Sequence, residues 1–214
     1  MPSELILASG SPRRRELMQT AGYRFRVVVP DAHAECGLCS GESPVQFVRR
    51  MAYQKAANVV PKVDDALVVS CDTIAECQGV ILGKPRDERD AAEMLRRLRG
   101  RSHRVLSGLC LWPVPSGEPL IETAISHLFM DPLSDSQIEE YLLSGQWEGK
   151  AGAFGYQDRL DWVHLIAGSE SNVVGLPMEL LGRLIGELAP NLLPRTATPS
   201  ERPALEKPAE EEPA

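Results

Sequence analysis

No stretch of the 214-residue chain approaches the ~18 consecutive apolar residues that span a bilayer, so no membrane helix is expected. The N-terminus lacks the basic region and long apolar core of a secretory signal, since Leu5–Ala8 is too short to serve as one. The expectation is therefore a cytoplasmic protein. Positive charge is also scarce: 23 Lys and Arg against 30 Asp and Glu leave a net charge of −7. That balance excludes the extended basic face of a non-specific nucleic-acid binder, but not a local basic pocket for a phosphorylated small molecule. The chain has 5 cysteines, an odd count that favours reduced thiols in the absence of an export signal. Cys36-x-x-Cys39 has no second CxxC or HxxxH to complete the ligand set of a structural zinc, although His33 could add a third ligand. Cys71, Cys77 and Cys110 lie in apolar runs and read as small core residues. There is no internal repeat.

What is present suits a single globular domain, with 43% hydrophobic and 25% charged residues. From Pro190 the composition shifts to Pro and Glu with almost no large apolar residues. Such a segment cannot bury a core and is expected to be disordered. The domain is thus expected over residues 1–189, with a tail over 190–214.

The most informative stretch is Leu5–Leu17, LILASGSPRRREL. Leu5–Ala8 suits a buried strand, and Ser11-Pro12 is a strong helix start, with Pro at N1 where its missing N–H costs nothing. Arg13, Arg14 and Arg15 then occupy the first helical turn, where the dipole disfavours cations by roughly 0.3–1 kcal/mol each. Either this is a solvated basic turn, or an anion sits there. Free backbone N–H groups, Ser9, Ser11, Gly10 and the arginine forks could together cradle a polyphosphate.

Further along, Phe25–Val29 reads as a second strand, and Ser43-Pro44 opens a helix that ends at Pro61. Lys55 falls on that helix's apolar stripe, where it either snorkels to solvent or reaches a ligand. Ala66–Cys71 is the strongest strand signal and runs into Asp72-Thr73, which reads as a strand-to-loop transition. Ile74–Leu82 follows as two short strands around Gln78-Gly79. Asp87 caps a helix bearing Ala91, Met94, Leu95 and Leu98, ended by Gly100. Arg104–Trp112 and Leu120–Met130 are longer strands. Ser134-x-x-Gln137 is a capping box. Gly149–Gln157 reads as a binding loop, Trp162–Ala167 as a strand, Gly168–Gly175 as a turn, and Pro177 as the start of a final helix to about Leu188. The order describes an α/β protein whose site lies at strand ends.

At the end of a buried strand Asp72 could face a cleft as a catalytic carboxylate, or merely cap a turn. Glu35, on the loop after the second strand, would bring a second carboxylate. Two carboxylates with phosphate oxygens are a usual way to hold Mg²⁺. Lys55 and Lys84 could neutralise phosphate charge, so the set suggests metal-assisted attack on a phosphoanhydride.

Taken in order, these motifs resemble the Maf family of nucleoside triphosphate pyrophosphatases, within the inosine-triphosphatase-like superfamily, from Leu5 to about Leu188. They are Ser9-x-Ser11-Pro12-Arg13-Arg14 with Leu17, Arg50-Met51-Ala52 with Lys55-Ala56, Cys71-Asp72-Thr73 and Gly83-Lys84-Pro85. Met94-Leu95 with Leu98-x-Gly100, His103-x-Val105, Lys150–Gln157 (KAGAFGYQ) and Val174-Gly175-Leu176-Pro177 complete the set. The resemblance implies a mixed twisted sheet flanked by helices, with a nucleotide cleft. It also implies hydrolysis of a nucleoside triphosphate to the monophosphate and pyrophosphate with a divalent cation, Mg²⁺ or Mn²⁺, in a homodimer. On this basis Asp72 takes the proton-acceptor position and shares the metal with Glu35. Ser9, Arg13, Arg14, Lys55 and Lys84 take phosphate-binding positions.

Arg13, Thr73 and Gln157 fall where family members separate by base preference, and look like the branch acting on dTTP and UTP. Gln157 offers both a donor and an acceptor to the mixed edge of a pyrimidine. The same reaction on another base, such as 7-methyl-GTP, and a nucleotide-binding regulator of septum formation are the alternatives. The chain departs from the family pattern at Cys71 (usually Ala), Ala34 (often Asp), Trp147-Glu148-Gly149 (commonly Pro-x-Asp) and Asp158 (usually Gly).

Overall fold

The structure is a computed structural model and describes residues 1–34, 37, 39–158 and 160–194. Its centre is a seven-stranded mixed sheet. In chain order the strands are β1 (Glu4–Leu7), β2 (Arg26–Val27), β3 (Ala66–Cys77), β4 (Val80–Leu82), β5 (Arg101–Val114), β6 (Leu120–Met130) and β7 (Val163–Ala167). The spatial order is β2-β1-β3-β5-β6-β7, and β4 pairs with the far end of β3. Strands β2, β1 and β3 run parallel, whereas the β3–β4, β3–β5, β5–β6 and β6–β7 pairs are antiparallel.

The helices are α1 (Pro12–Thr20), α2 (Pro44–Val59), α3 (Glu88–Leu98), α4 (Asp135–Leu143), α5 (Glu170–Val174) and α6 (Met178–Leu188). Local chemistry explains most of their starts. Ser43 with Gln46, and Ser134 with Gln137, form reciprocal capping boxes, and the Asp87 carboxylate accepts from Asp90 N–H. Among the described residues, no helix is long and apolar enough to cross a membrane.

Alternation along β3 divides the core. Ala66, Val68, Ser70, Asp72 and Ile74 share the face covered by α2, where Ala52, Ala56 and Val59 pack on Ala66 and Val68. Leu67, Val69 and Cys71 face the other way, against Met18 of α1 and Leu181, Leu184 and Ile185 of α6. A third cluster, around Leu95 and Leu98 of α3 and Ile138 and Tyr141 of α4, fills the far end of the sheet. The approach of α2 to the sheet is close because β5 has no side chain at Gly108. A Cβ there would lie 2.8 Å from Arg49 N, and closer still to the Val48 carbonyl.

Four local expectations change. The strand expected over Phe25–Val29 is only Arg26–Val27, because the β1 edge it pairs with is itself short. Asp72 and Thr73 do not end a strand; β3 continues through them because β5 pairs with it from Ala66 to Glu76. The segment 168–175 contains the helix α5, capped by the Ser169 hydroxyl on Asn172 N–H. The shift in composition at Pro190 does not coincide with the last contact to the domain. Residues Pro190–Leu192 form a 3-10 turn, Asn191 Nδ2 donates to the Pro2 carbonyl at 3.0 Å, and Leu192 packs on the core. Residues 195–214, most of the expected tail, lie outside the described residues.

Gly108→Ala would push α2 away from β5. Overpacking of this kind is expected to cost about 3 kcal/mol and lower the thermal midpoint by roughly 6–12 °C. Thermal unfolding followed by circular dichroism checks this; an unchanged midpoint would show that α2 can shift without loss.

Candidate active site

The site follows from a mismatch in strand length. β1 pairs with β3 only from Ala66 to Val69, and Ala8 N–H donates the last bond, to the Val69 carbonyl, at 2.7 Å. β4 joins the same edge of β3 only from Ala75. Between them the edge is open among the described residues, and Asp72 and Thr73 lie in the opening on opposite faces of the sheet. The chain leaving β1 runs through Ser9-Gly10-Ser11 into α1, which brings the first turn of that helix to the gap. The Ser11 side chain makes no capping bond there, so the first-turn N–H groups lack that acceptor.

On the α2 face, Lys55 Nζ donates to Asp72 Oδ1 at 2.6 Å, with the two side chains only 10% and 13% exposed. Lys55 does not snorkel to solvent: it is buried on the apolar stripe of α2 and bonded to Asp72. On the other face, Arg14 is held at three points. Its Nε donates to the Gly175 carbonyl at 2.8 Å, Nη1 to Ser9 Oγ at 3.2 Å and Nη2 to Thr73 Oγ1 at 3.2 Å. Arg13 turns the other way, with Nη2 donating to the Gly149 carbonyl at 2.9 Å. Burial, and then the charge of Arg14, push the Arg13 guanidinium below the usual arginine range. Arg15 points to solvent.

Two neighbouring cavities share Ser11, Arg13, Arg14 and Lys84. The outer cleft, about 570 Å³, adds Ser9, Gly10 and Lys55. The inner pocket, about 70 Å³, adds Thr73, Lys150, Phe154 and Gly175. A cleft of this size falls in the range usual for small-molecule ligands. Arg13, Arg14, Lys55 and Lys84 converge on its walls, which suits an anionic occupant.

Of the residues expected in the site, Ser9, Arg13, Arg14, Lys55, Thr73 and Lys84 line one or both cavities, and Asp72 is brought to them by its bond to Lys55. Glu35 and Cys36 lie outside the described residues. Gln157 falls in the 3-10 turn Tyr156–Asp158, and its side chain is likewise outside the description.

Three features escaped sequence reasoning. Lys150 lines the inner pocket and is paired with Asp158, the residue that departs from the family pattern. Gly155 lies so close to that pair that any Cβ would clash with both side chains. Ser107, opposite Thr73 on β5, contributes a buried hydroxyl at 2.8 Å from Thr73 Oγ1. Only the Asp158 signal was visible in the sequence, as an unexplained departure.

A sequence profile described as Maf-like protein matches residues 4–188. The chain belongs to the Maf family. A relative named dTTP/UTP pyrophosphatase from Rhodopirellula baltica is 51% identical over 191 residues, 89% of this chain and 84% of that protein. One of the same name from Dictyoglomus thermophilum is 38% identical over 194 residues, 90% of this chain and all of that protein. Among solved structures, a nucleoside-triphosphatase / dITP/XTP pyrophosphatase from Mycobacterium abscessus matches with a TM-score of 0.42 at 14% identity. That match covers 87% of this chain and 99% of that one.

Family membership implies a divalent cation. Among the described residues, no cluster of three or more His, Cys, Asp or Glu side chains could hold a metal alone. Asp72 at the open edge does fit the other arrangement, in which one or two carboxylates bind the ion together with the substrate's own phosphates.

Behind the inner pocket, His103 packs edge-on against Phe154 at 5.4 Å between ring centroids. Its Nδ1–H donates to the Arg101 carbonyl at 3.3 Å, and its buried Nε2 has no partner among the described residues. Burial pushes this imidazole below the usual histidine value, with the Arg101 carbonyl and the charge of Glu76 opposing only in part. Above about pH 6.5 both folded and unfolded chains hold the neutral ring, and its stabilising effect is complete. As the pH falls from there toward the lowered folded value, only the unfolded chain takes the proton. Stability should then fall by at most about 1.4 kcal/mol per pH unit from this group. Urea unfolding between pH 7.5 and pH 5 checks this, and His103→Gln should flatten the slope; an equal slope in the variant would contradict the assignment.

Proposed function

We propose that this protein hydrolyses nucleoside triphosphates, dTTP and UTP foremost, to the nucleoside monophosphate and pyrophosphate. The observation that carries the proposal is the carboxylate of Asp72 bonded to Lys55, itself a wall residue of a cation-lined cleft, in a chain of the Maf family. The names of its relatives support the pyrimidine preference and favour turnover over a purely regulatory role.

In this scheme Ser9, Arg13, Arg14, Lys55 and Lys84 hold the triphosphate. Lys55 fixes the rotamer of Asp72, which takes a proton from water as that water attacks the α-phosphorus. The bond to the bridging oxygen breaks, and pyrophosphate leaves with the electron pair. Charge growing on the phosphate oxygens meets guanidinium groups already fixed in place, the cheapest form of electrostatic stabilisation. A divalent cation, Mg²⁺ or Mn²⁺, bound by Asp72, Glu35 and phosphate oxygens, supplies further charge neutralisation when present. Arg13, Thr73 and Gln157 set the base preference. The active unit is a homodimer in the cytoplasm, built on the 1–189 domain with the 190–192 turn docked against it, and residues 195–214 are not needed for turnover.

Purified protein with Mg²⁺ should release pyrophosphate, not orthophosphate, from UTP and dTTP, faster than from CTP or 7-methyl-GTP. Asp72→Asn should lower kcat by about 10²–10⁴-fold, the usual contribution of a general base. Orthophosphate as the first product would overturn the reaction, and a preference for 7-methyl-GTP would overturn the substrate.

A further inference from the structure

The hydroxyl of Thr73 sits at a position implied to set base preference, yet protein groups use all of its hydrogen-bonding capacity. Arg14 Nη2 lies at 3.2 Å, the Gly175 carbonyl at 3.2 Å and Ser107 Oγ at 2.8 Å. A threonine hydroxyl has one hydrogen and two lone pairs. A guanidinium can only donate, so Arg14 takes one lone pair. A carbonyl can only accept, so Gly175 takes the hydrogen. Ser107 must therefore donate into the remaining lone pair. The thiol of Cys71, 3.8 Å away, adds no capacity. Nothing is left on this oxygen for a nucleobase.

We propose that Ser107 is a positioning residue acting through Thr73 on Arg14, so that Thr73 serves the site by orienting a guanidinium and not by touching the base. The sheet makes this arrangement rigid. Ser107 is fully buried, and it is the direct cross-strand partner of Thr73 in the β3–β5 pairing. Ser107, Thr73 and the Gly175 carbonyl fix one side of the Arg14 plane, while Ser9 takes Nη1. Of the five N–H donors of an arginine, three are thereby held, and two remain for substrate in a fixed orientation. Arg14 borders both cavities, so a change at position 73 alters how the guanidinium sits between them. That is a route from Thr73 to specificity without contact.

This inference rests on the proposed function for its substrate, and its test separates the two. Full-length protein is titrated calorimetrically with inorganic tripolyphosphate, which has no base and does not require turnover of a nucleotide. Steady-state rates on UTP and CTP are measured in parallel. Ser107→Ala should weaken tripolyphosphate binding and raise KM for both nucleotides by about three- to tenfold, the range for one lost neutral hydrogen bond. Any shift in the UTP-to-CTP ratio of kcat/KM should be the same in Ser107→Ala as in Thr73→Val, because both act through Arg14. Thr73→Val should do at least as much, and adding Ser107→Ala to it should do no more, because the relay is already broken. Thr73→Ser should restore wild-type values. The inference is overturned if Thr73→Val shifts the UTP-to-CTP ratio while tripolyphosphate binding is untouched. It also falls if Ser107→Ala lowers thermal stability alone, or if the wild type does not bind tripolyphosphate. A wild type that binds tripolyphosphate but releases no pyrophosphate would instead sink the proposed function.

Discussion

Everything at the site depends on one edge of β3 being left unpaired between Val69, where β1 stops, and Ala75, where β4 begins. In a sheet interior such an edge would leave backbone groups without partners. Here the opening faces a cleft, where water or a ligand can satisfy them. Because β3 itself runs on, held on its other side by β5, the opening is bordered by rigid strand and not by loop. Successive residues of a strand point to opposite faces, so Asp72 and Thr73 deliver different chemistry to the same gap. Asp72 meets a lysine from α2 on one side. Thr73 meets an arginine from α1 on the other.

The same opening explains the arginines that sit against the dipole of α1. A first turn carrying Arg13 and Arg14 and no acid is unfavourable alone. Arg14 recovers part of that cost through bonds to Ser9, Thr73 and Gly175, and Arg13 through the Gly149 carbonyl. The remaining positive potential is what a polyphosphate would satisfy. Lys55 and Lys150 are each paired directly with a carboxylate. The site is thus tuned by carboxylates as well as crowded by cations, one on each side: Asp72 for Lys55 and Asp158 for Lys150.

What could be read from the sequence was what local chemistry decides. The starts of α2, α3 and α4 follow from Ser43, Asp87 and Ser134 with their partners three residues on, and the structure has those caps. The ends of β6 are also where alternation and the flanking turns put them. What could not be read depends on partners distant in the chain. Asp72-Thr73 looks like a strand end because polar residues interrupt an apolar run, yet pairing with β5 carries the strand through. α5 spans five residues, too few to show a helical period. Ser107 has no motif of its own, and only the β3–β5 register brings it to Thr73. Ser9, Arg13, Arg14, Lys55, Thr73 and Lys84, which line the two cavities, could be singled out in the sequence, but not the division of Asp72 and Thr73 between two faces of one strand.

The central claim is that the polyphosphate of the substrate occupies the gap beyond the end of β1, between the Arg14 network and the Lys55–Asp72 pair. A crystal structure of the protein with Mg²⁺ and the non-hydrolysable α,β-imido analogue of dUTP tests it directly. The account predicts phosphate oxygens within hydrogen-bonding distance of Ser9 and Arg14, with the α-phosphate nearest Asp72. Phosphates bound elsewhere, with the edge of β3 between Val69 and Ala75 left to solvent, would contradict it.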